Sequence, residues 1–324
     1  VTPRPTGTAR RERDPGPDLP EVRLHLATPR EPVVATVVRT EPCTQPKPAD
    51  FVSHIVFDTA GTPLEGAFRP GQSFGVIPPG TDERGRPHNL RLYSVSSPST
   101  GEDENPALVS TTVKRTIEER NDTGRLYLGL ASNHLCDLAV GDTALLTGPS
   151  GKRFLLPARP AEHDYVFFAT GTGIAPYRGM LLDLFSHHPD ARATLVAGAA
   201  YHTDLLYHHL FTALAERHPG FHYLPTVSRE LQTDGAPPLH VQDRLDTHRE
   251  TLADTLASDR TLIYICGVTG TELNIYRRLA GTLEPDALRR YLTIAAGLED
   301  PDGWERRTIH RGVNPTRRLF VEVY

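Results

Sequence analysis

The hydrophobic rhythm of this chain changes once, near Pro157, and that change limits the folds open to it. Before it, short runs rich in Val, Ile, Phe and Thr alternate with turn residues, over 33–38, 54–58, 73–77, 92–96, 109–113 and 144–147. Runs at this spacing, broken by turns such as Pro70-Gly71 and Gly141-Asp142, predict an antiparallel β-barrel with one short helix over 132–138. After Pro157 strands alternate with helices: 165–169 before 174–186, 194–199 before 205–217, 221–227 before 241–256, and 261–266 before 271–283. Apolar strands separated by helices predict a parallel sheet covered on both faces. A last helix is expected over 286–296, then a polar loop and a final strand over 319–323.

The expected fold class is therefore two-domain, β plus α/β: a disordered leader over 1–30, an antiparallel β-barrel domain over 31–157, and a parallel-sheet α/β domain over 158–324. The length of 324 residues agrees, because single cores stop growing near ~250 to 300 residues. Three distant cysteines, Cys43, Cys136 and Cys266, offer neither a disulfide framework nor a CxxC metal site, which points to a reducing, cytoplasmic setting. The leader lacks the apolar centre of a secretory signal, and no run approaches the ~18 apolar residues of a membrane span. With 35 basic against 40 acidic residues, nothing marks a nucleic-acid binder. The paired histidines His187-His188 and His208-His209 point about 100° apart on a helix and complete no ligand set, so no metal is expected.

Four short segments carry chemistry. The first α/β strand runs into Thr170-Gly171-Thr172-Gly173-Ile174-Ala175-Pro176. Glycines at a strand-to-helix turn let a diphosphate approach the free N–H groups of a helix start, although a generic turn shares this pattern. Arg91-Leu92-Tyr93-Ser94 combines a cation, a flat aromatic face and a hydroxyl; a solvated strand face has the same composition. Tyr264-Ile265-Cys266-Gly267 sets a thiol at the carboxyl edge of a buried strand, where Cys is also common apolar filler. In Val321-Glu322-Val323-Tyr324, alternation puts Glu322 and Tyr324 on one side.

In this order, and together with Ser132-Asn133-His134-Leu135-Cys136-Asp137-Leu138 and Gly148-Pro149-Ser150-Gly151-Lys152, these segments resemble the plant-type ferredoxin-NADP(+) reductases. The resemblance covers roughly 33–324 and implies an FAD-binding barrel followed by an NADP-binding α/β domain. It implies that Arg91 holds the FAD diphosphate, that Tyr93 stacks on the flavin, and that Ser94 lies near flavin N5, with Leu92 between them. Leu130, Ala131 and Ser132 become the second flavin segment, offering backbone N–H groups and the Ser132 hydroxyl. Thr172, Gly173 and Gly267 become the nucleotide edge. Tyr324 covers the other flavin face and moves aside for nicotinamide, and Ser94, Cys266, Glu322 and Tyr324 shape the hydride-transfer site. Ser228 and Arg229 become the grip on the NADP 2'-phosphate.

Two departures from the family pattern stand out. Pro238 and His240 replace the Lys and stacking Tyr that follow the Ser-Arg pair in relatives, which predicts a weakened preference for NADP(H) over NAD(H), with His240 left to stack. Glu118 occupies the position where relatives place an aromatic on the FAD adenine. The implied activity is hydride exchange between NADP(H) and FAD coupled to one-electron transfer with ferredoxin or flavodoxin. An acidic carrier calls for a basic rim, with candidates Arg84, Arg86, Lys152, Arg153, Arg317 and Arg318. The reductase component of an aromatic-CoA (benzoyl-CoA type) oxygenase is the nearest alternative, because Pro78-Pro79-Gly80-Thr81-Asp82 and Val241-Gln242-Asp243 also look like that branch. Its extra iron-sulfur module is not expected in so short a leader. A non-catalytic nucleotide-binding sensor or scaffold is the alternative from another class.

Overall fold

The computed structural model describes residues 16–120 and 124–324. The first sheet uses β1 (Val33–Pro42), β2 (Val52–Asp58), β3 (Ser73–Ile77), β4 (Arg91–Ser94), β5 (Leu108–Lys114) and, after β6 (Ile117–Arg120), β7 (Arg125–Leu128) and helix α1 (Leu130–Asp137), also β8 (Thr143–Ser150). Its order is β4-β3-β8-β1-β2-β5, and every pairing is antiparallel. The two edge strands meet through a bridge between Val95 and Thr111, so the sheet closes on itself and leaves no open edge there. Phe57, Phe68 and Phe74 fill its interior edge to face, at ring separations of 5.8 and 5.9 Å. β6 and β7 form a separate hairpin that the sequence pattern did not predict.

Of the expected leader, residues 1–15 lie outside the described residues; Gly16 lies against Arg317, Asp18 O accepts from Ala158 N–H, and 23–27 pack on the barrel. Ala27 is buried and bridges Gly148 through bonds in both directions, and Arg23 O accepts from Gln72 Nε2. The stretch 23–27 is thus held by the barrel, whose core Ala27 joins.

The second sheet is parallel, in the order β11-β10-β9-β12-β15. Its strands are β9 (Asp164–Thr170), β10 (Arg192–Ala199), β11 (Phe221–Val227), β12 (Thr261–Gly267) and β15 (Leu319–Val323), interleaved with α2 (Ala175–His187), α3 (His208–Arg217), α4 (Arg244–Thr247), α5 (Arg249–Ala257) and α6 (Thr271–Thr282). Alternation along the strands divides the core. Tyr165, Phe167, Leu262, Tyr264 and Cys266 join one buried cluster with α2 and α3 residues; Val166, Phe168, Ile263 and Ile265 join the other with α5 and α6 residues. Burial on both faces is why these strands read as unbroken apolar runs.

Three helices differ from expectation. The one expected from 205 begins at His208, because Leu205 and Leu206 are buried in the preceding loop and Tyr207 adopts φ 53°. The one over 241–256 is split at His248. The one over 286–296 shrinks to α7 (Pro285–Leu288), after which β13 (Leu292–Ile294) pairs with β14 (Val313–Pro315), which follows α8 (Arg306–Gly312). Thr293 and Ile294 favour extended backbone, and their partner comes from far along the chain. Among the described residues, no helix is long and apolar enough to cross a membrane.

Phe74 has no solvent exposure, so Phe74→Ala is expected to destabilise the barrel by ~3–5 kcal/mol, read as a lower urea midpoint.

Candidate active site

The carboxyl edge of the parallel sheet is where strand ends leave backbone groups free and α/β folds bind ligands. β9 ends at Thr170 and a tight 3-10 turn, Gly171–Ile174, leads into α2. Gly173 lies against the end of β12: a Cβ there would stand 2.3 Å from Cys266 O. Gly267 has φ 148°, and a Cβ on it would stand 2.0 Å from Thr170 Oγ1. The close fit lets Thr170 Oγ1 accept from Val268 N–H at 2.9 Å.

β15 brings the last residues of the sequence to the same edge. Cys266 and Glu322 are direct neighbours in adjacent parallel strands. Tyr324 N–H donates to Gly267 O, its O accepts from Thr269 N–H, and its hydroxyl lies 2.5 Å from Thr172 Oγ1. Tyr324 as a whole remains 59% exposed. Burial pushes the Glu322 carboxyl up to about 7, and its Oε2 has no hydrogen-bond partner although it is buried. Burial, followed by the charge of Glu322, raises the Cys266 thiol well above its usual range, so this sulfur is a neutral thiol rather than a nucleophile.

Thr172, Ser228, His240 and Tyr324 line one cleft of about 360 Å³. The backbone of Ser228 and Arg229 is fixed by bonds to Ala199 O and Ala200 O, and the Arg229 guanidinium lies 5.9 Å from the Tyr201 ring centroid. Buried Arg244 braces this loop, donating to Pro225 O, Thr226 Oγ1 and Gln232 Oε1. Opposite stand two barrel residues, Asp50 and Lys114, paired at 2.6 Å. Lys114 was not among the sequence candidates; its only signal there is that it is one of three lysines in the chain, at the end of a strand. A larger groove of about 650 Å³ opens at the opposite edge of the sheet, by Asp164, Arg192 and Arg260, and none of the candidate site residues line it.

On the barrel, Arg91, Leu92, Tyr93 and Ser94 form β4 itself, and Ser94 O accepts from Thr111 Oγ1. Arg91 and Leu92 are exposed, while Tyr93 packs partly against the barrel core. Leu130, Ala131 and Ser132 open α1. The Ser132 hydroxyl turns inward, accepting from Thr116 N–H and donating to Gly129 O, so the outward offer of this turn is its backbone N–H groups. Of the expected basic rim, Arg86 is paired with Asp82 at 2.7 Å. Arg318 precedes β15 and donates to Asp259 O, which puts Arg317 and Arg318 at the other edge of the sheet, about 20 Å from Tyr324 at 3.3 Å per residue. Among the described residues, no group of three or more His, Cys, Asp or Glu is placed to hold a metal ion.

Residues 167–272 match the family model described as "Oxidoreductase NAD-binding domain". The chain is 40% identical over 228 residues to the chloroplastic ferredoxin-NADP reductase leaf isozyme 1 of Arabidopsis thaliana, covering 68% of this chain and 62% of that protein. It is 33% identical to the root isozyme 1 of the same plant, covering 95% of this chain and 79% of that one. Its fold superposes on a ferredoxin-NADP+ reductase of Plasmodium falciparum solved with 2'P-AMP, with TM-score 0.66, 21% identity, and 93% and 99% of the two chains covered.

A carboxyl with a raised folded-state pKa binds more protons than in the unfolded chain, so its effect on stability falls as pH rises from 4.5 through about 7. Glu322→Gln is expected to match the wild type in thermal midpoint at pH 4.5 and to exceed it at pH 8.

Proposed function

We propose that this chain, which belongs to the ferredoxin-NADP+ reductase family, carries that family's activity: it is an oxidoreductase that exchanges hydride between NADP(H) and FAD, and single electrons with ferredoxin. The observation that carries the reading is the cleft where Thr172, Ser228, His240 and Tyr324 face Lys114 across the domain boundary. A nicotinamide nucleotide laid along the carboxyl edge of the sheet would meet, in turn, a cation, a glycine turn and a displaceable aromatic.

The residues fit both cofactors. Gly171, with open space where a Cβ would stand, presents bare backbone to the cleft just before the helix start, and Lys114, beside its partner Asp50, and Arg229, next to Ser228, bring positive charge for phosphates. The exposed apolar side chains Leu92, Leu130 and Tyr127, beside Arg91 and the first turn of α1, suit an isoalloxazine, a diphosphate and an adenine. When bound, FAD supplies the ring that takes two electrons as hydride and releases them one at a time.

The chain's own work is to position and to exclude water. Tyr324 closes the edge through its bond to Thr172 and must swing away to admit nicotinamide. Cys266 and the partnerless Glu322 oxygen give that space a neutral thiol and a carboxyl poised near neutral pH, able to hold a proton or accept a hydrogen bond. Ser94, its main chain pinned by Thr111, would serve the flavin from the barrel side. Arg229 serves the 2'-phosphate without the lysine that Pro238 displaces.

Glu118 is paired with Tyr127 across β6 and β7, and directly opposed residues of antiparallel strands project to the same face. Tyr127 therefore offers an aromatic surface beside the position Glu118 leaves without one.

The reading is tested by stopped-flow mixing of the purified flavoprotein with NADPH and NADH, then with ferredoxin at two salt concentrations. Flavin reduced by NADPH and reoxidised by ferredoxin in a salt-dependent way supports it; a protein that takes up no flavin overturns it, as does rapid reduction with a carrier other than ferredoxin as the only acceptor. Arg229→Ala is expected to lower kcat/KM for NADPH by ~10- to 100-fold, the worth of a charged hydrogen bond, while leaving NADH unchanged. Tyr127→Ala is expected to weaken FAD binding to the apoprotein by about 10-fold or more, and FMN binding not at all, because only FAD carries a base to stack.

A further inference from the structure

A densely connected buried polar cluster outside the cleft lies where the domains meet. Arg178, one turn into α2, reaches out of its own domain: Nη1 donates to Ser96 O at 2.9 Å and to Glu102 Oε1 at 2.6 Å, and Nη2 donates to Glu102 Oε2 at 3.1 Å. Glu102 belongs to the barrel and is 3% exposed. It also accepts from Ser110 Oγ of β5 at 2.6 Å, and Ser110 Oγ is 2.8 Å from Ser96 Oγ. Arg39 and His54 stand 3.5 and 3.4 Å from its oxygens. Burial opposes ionisation of Glu102, yet His54 and Arg178 hold its carboxyl well below the usual range.

Two other contacts join α2 to the same stretch of barrel. A Cβ on Gly179 would stand 2.3 Å from Ser97 O, and Asp183 Oδ1 accepts from Ser99 N–H at 2.8 Å. The loop that aims Glu102 is strained, with φ of 83°, 54° and 60° at Gly101, Asp103 and Glu104; left-handed Asp and Glu in sequence persist only where their surroundings impose them. The pair stands between the two halves of the candidate site. Ser94 is two residues upstream of Ser96, and the turn Gly171–Ile174 runs directly into the helix that bears Arg178. A buried ion pair is a poor source of net stability compared with apolar packing, so its value here is orientation.

We propose that Arg178 and Glu102 are a positioning pair that sets the nucleotide turn at a fixed distance and angle from the flavin-binding strand. The inference rests on the hydride-exchange reading above. Most contacts open to each cofactor lie within its own half, with Lys114 and Tyr324 reaching across, so loosening the pair costs the transfer step far more than the binding of either cofactor.

The test uses the FAD-loaded protein. Anaerobic stopped-flow mixing with NADPH gives the limiting rate of flavin reduction, and titration with NADP+ gives affinity. Glu102→Gln is expected to slow reduction by ~10- to 100-fold while NADP+ affinity and FAD content stay within about threefold of wild type. Arg178→Lys keeps the charge and loses the two-pronged bond, so it is expected to show the same split with a smaller loss. An unchanged reduction rate overturns the proposal, and so does a loss expressed only as weaker NADP+ binding. If Glu102→Gln does not fold, Arg178→Lys decides by the same two readings. A wild-type protein that NADPH does not reduce overturns the hydride reading itself, and the positioning role with it, before any variant is made.

Discussion

The contact between Gly173 and the Cys266–Gly267 backbone is the constraint on which the rest of the site depends. No side chain fits between them, since a Cβ on Gly173 would overlap Cys266 O at 2.3 Å. The helix start is therefore pulled down onto the end of β12. That approach puts Thr172 level with Tyr324, which β15 delivers from the far end of the chain through its pairing with β12. One local steric fact thus brings together residues more than 150 positions apart.

What surrounds this contact is polar chemistry held in a mostly apolar setting. Cys266 sits on a fully buried strand and Glu322 on a half-buried one beside it, and the low polarity there keeps the thiol protonated and lifts the carboxyl toward neutrality. A chain tuned only for stability would not leave a buried carboxylate oxygen without a partner. Such a cost is tolerable at a site that is completed by a ligand. The two domains pack with the same economy: α2 carries the glycine turn at one end and, one turn later, the cation that crosses into the barrel.

Much of this was legible in the residues. The change of rhythm at Pro157 separates the two sheets, whose connection runs over 151–163, and β3, β11 and β15 begin and end where the pattern placed them. Their signals are local: alternation, turn residues and apolar runs. The hairpin of β6 and β7 was missed because its exposed Leu126, Tyr127 and Leu128 form a continuous apolar run with no buried face to alternate against. The segment 286–296 was misread because β13 owes its conformation to Val313, a partner that no local window contains. Arg317 and Arg318, two of the expected rim residues, stand a whole strand away from Tyr324. Sequence proximity to Tyr324 hides the length of the strand between them.

The residue types and their order determined by themselves that this chain builds an antiparallel sheet followed by a parallel one, and they single out β4, the glycine turn, the end of β12 and the last strand as the segments equipped for chemistry. Those features are written in periodicity and in short motifs, which act over a few residues. Only the tertiary structure decided which of these groups share a cleft, that Lys114 of the barrel faces Ser228 and His240, that the Ser132 hydroxyl turns inward, and that Arg178 closes on Glu102. Each of those outcomes depends on burial and on the docking of one domain against the other, and the free energy of a buried charge or an unmatched oxygen is set by neighbours that arrive from distant parts of the chain.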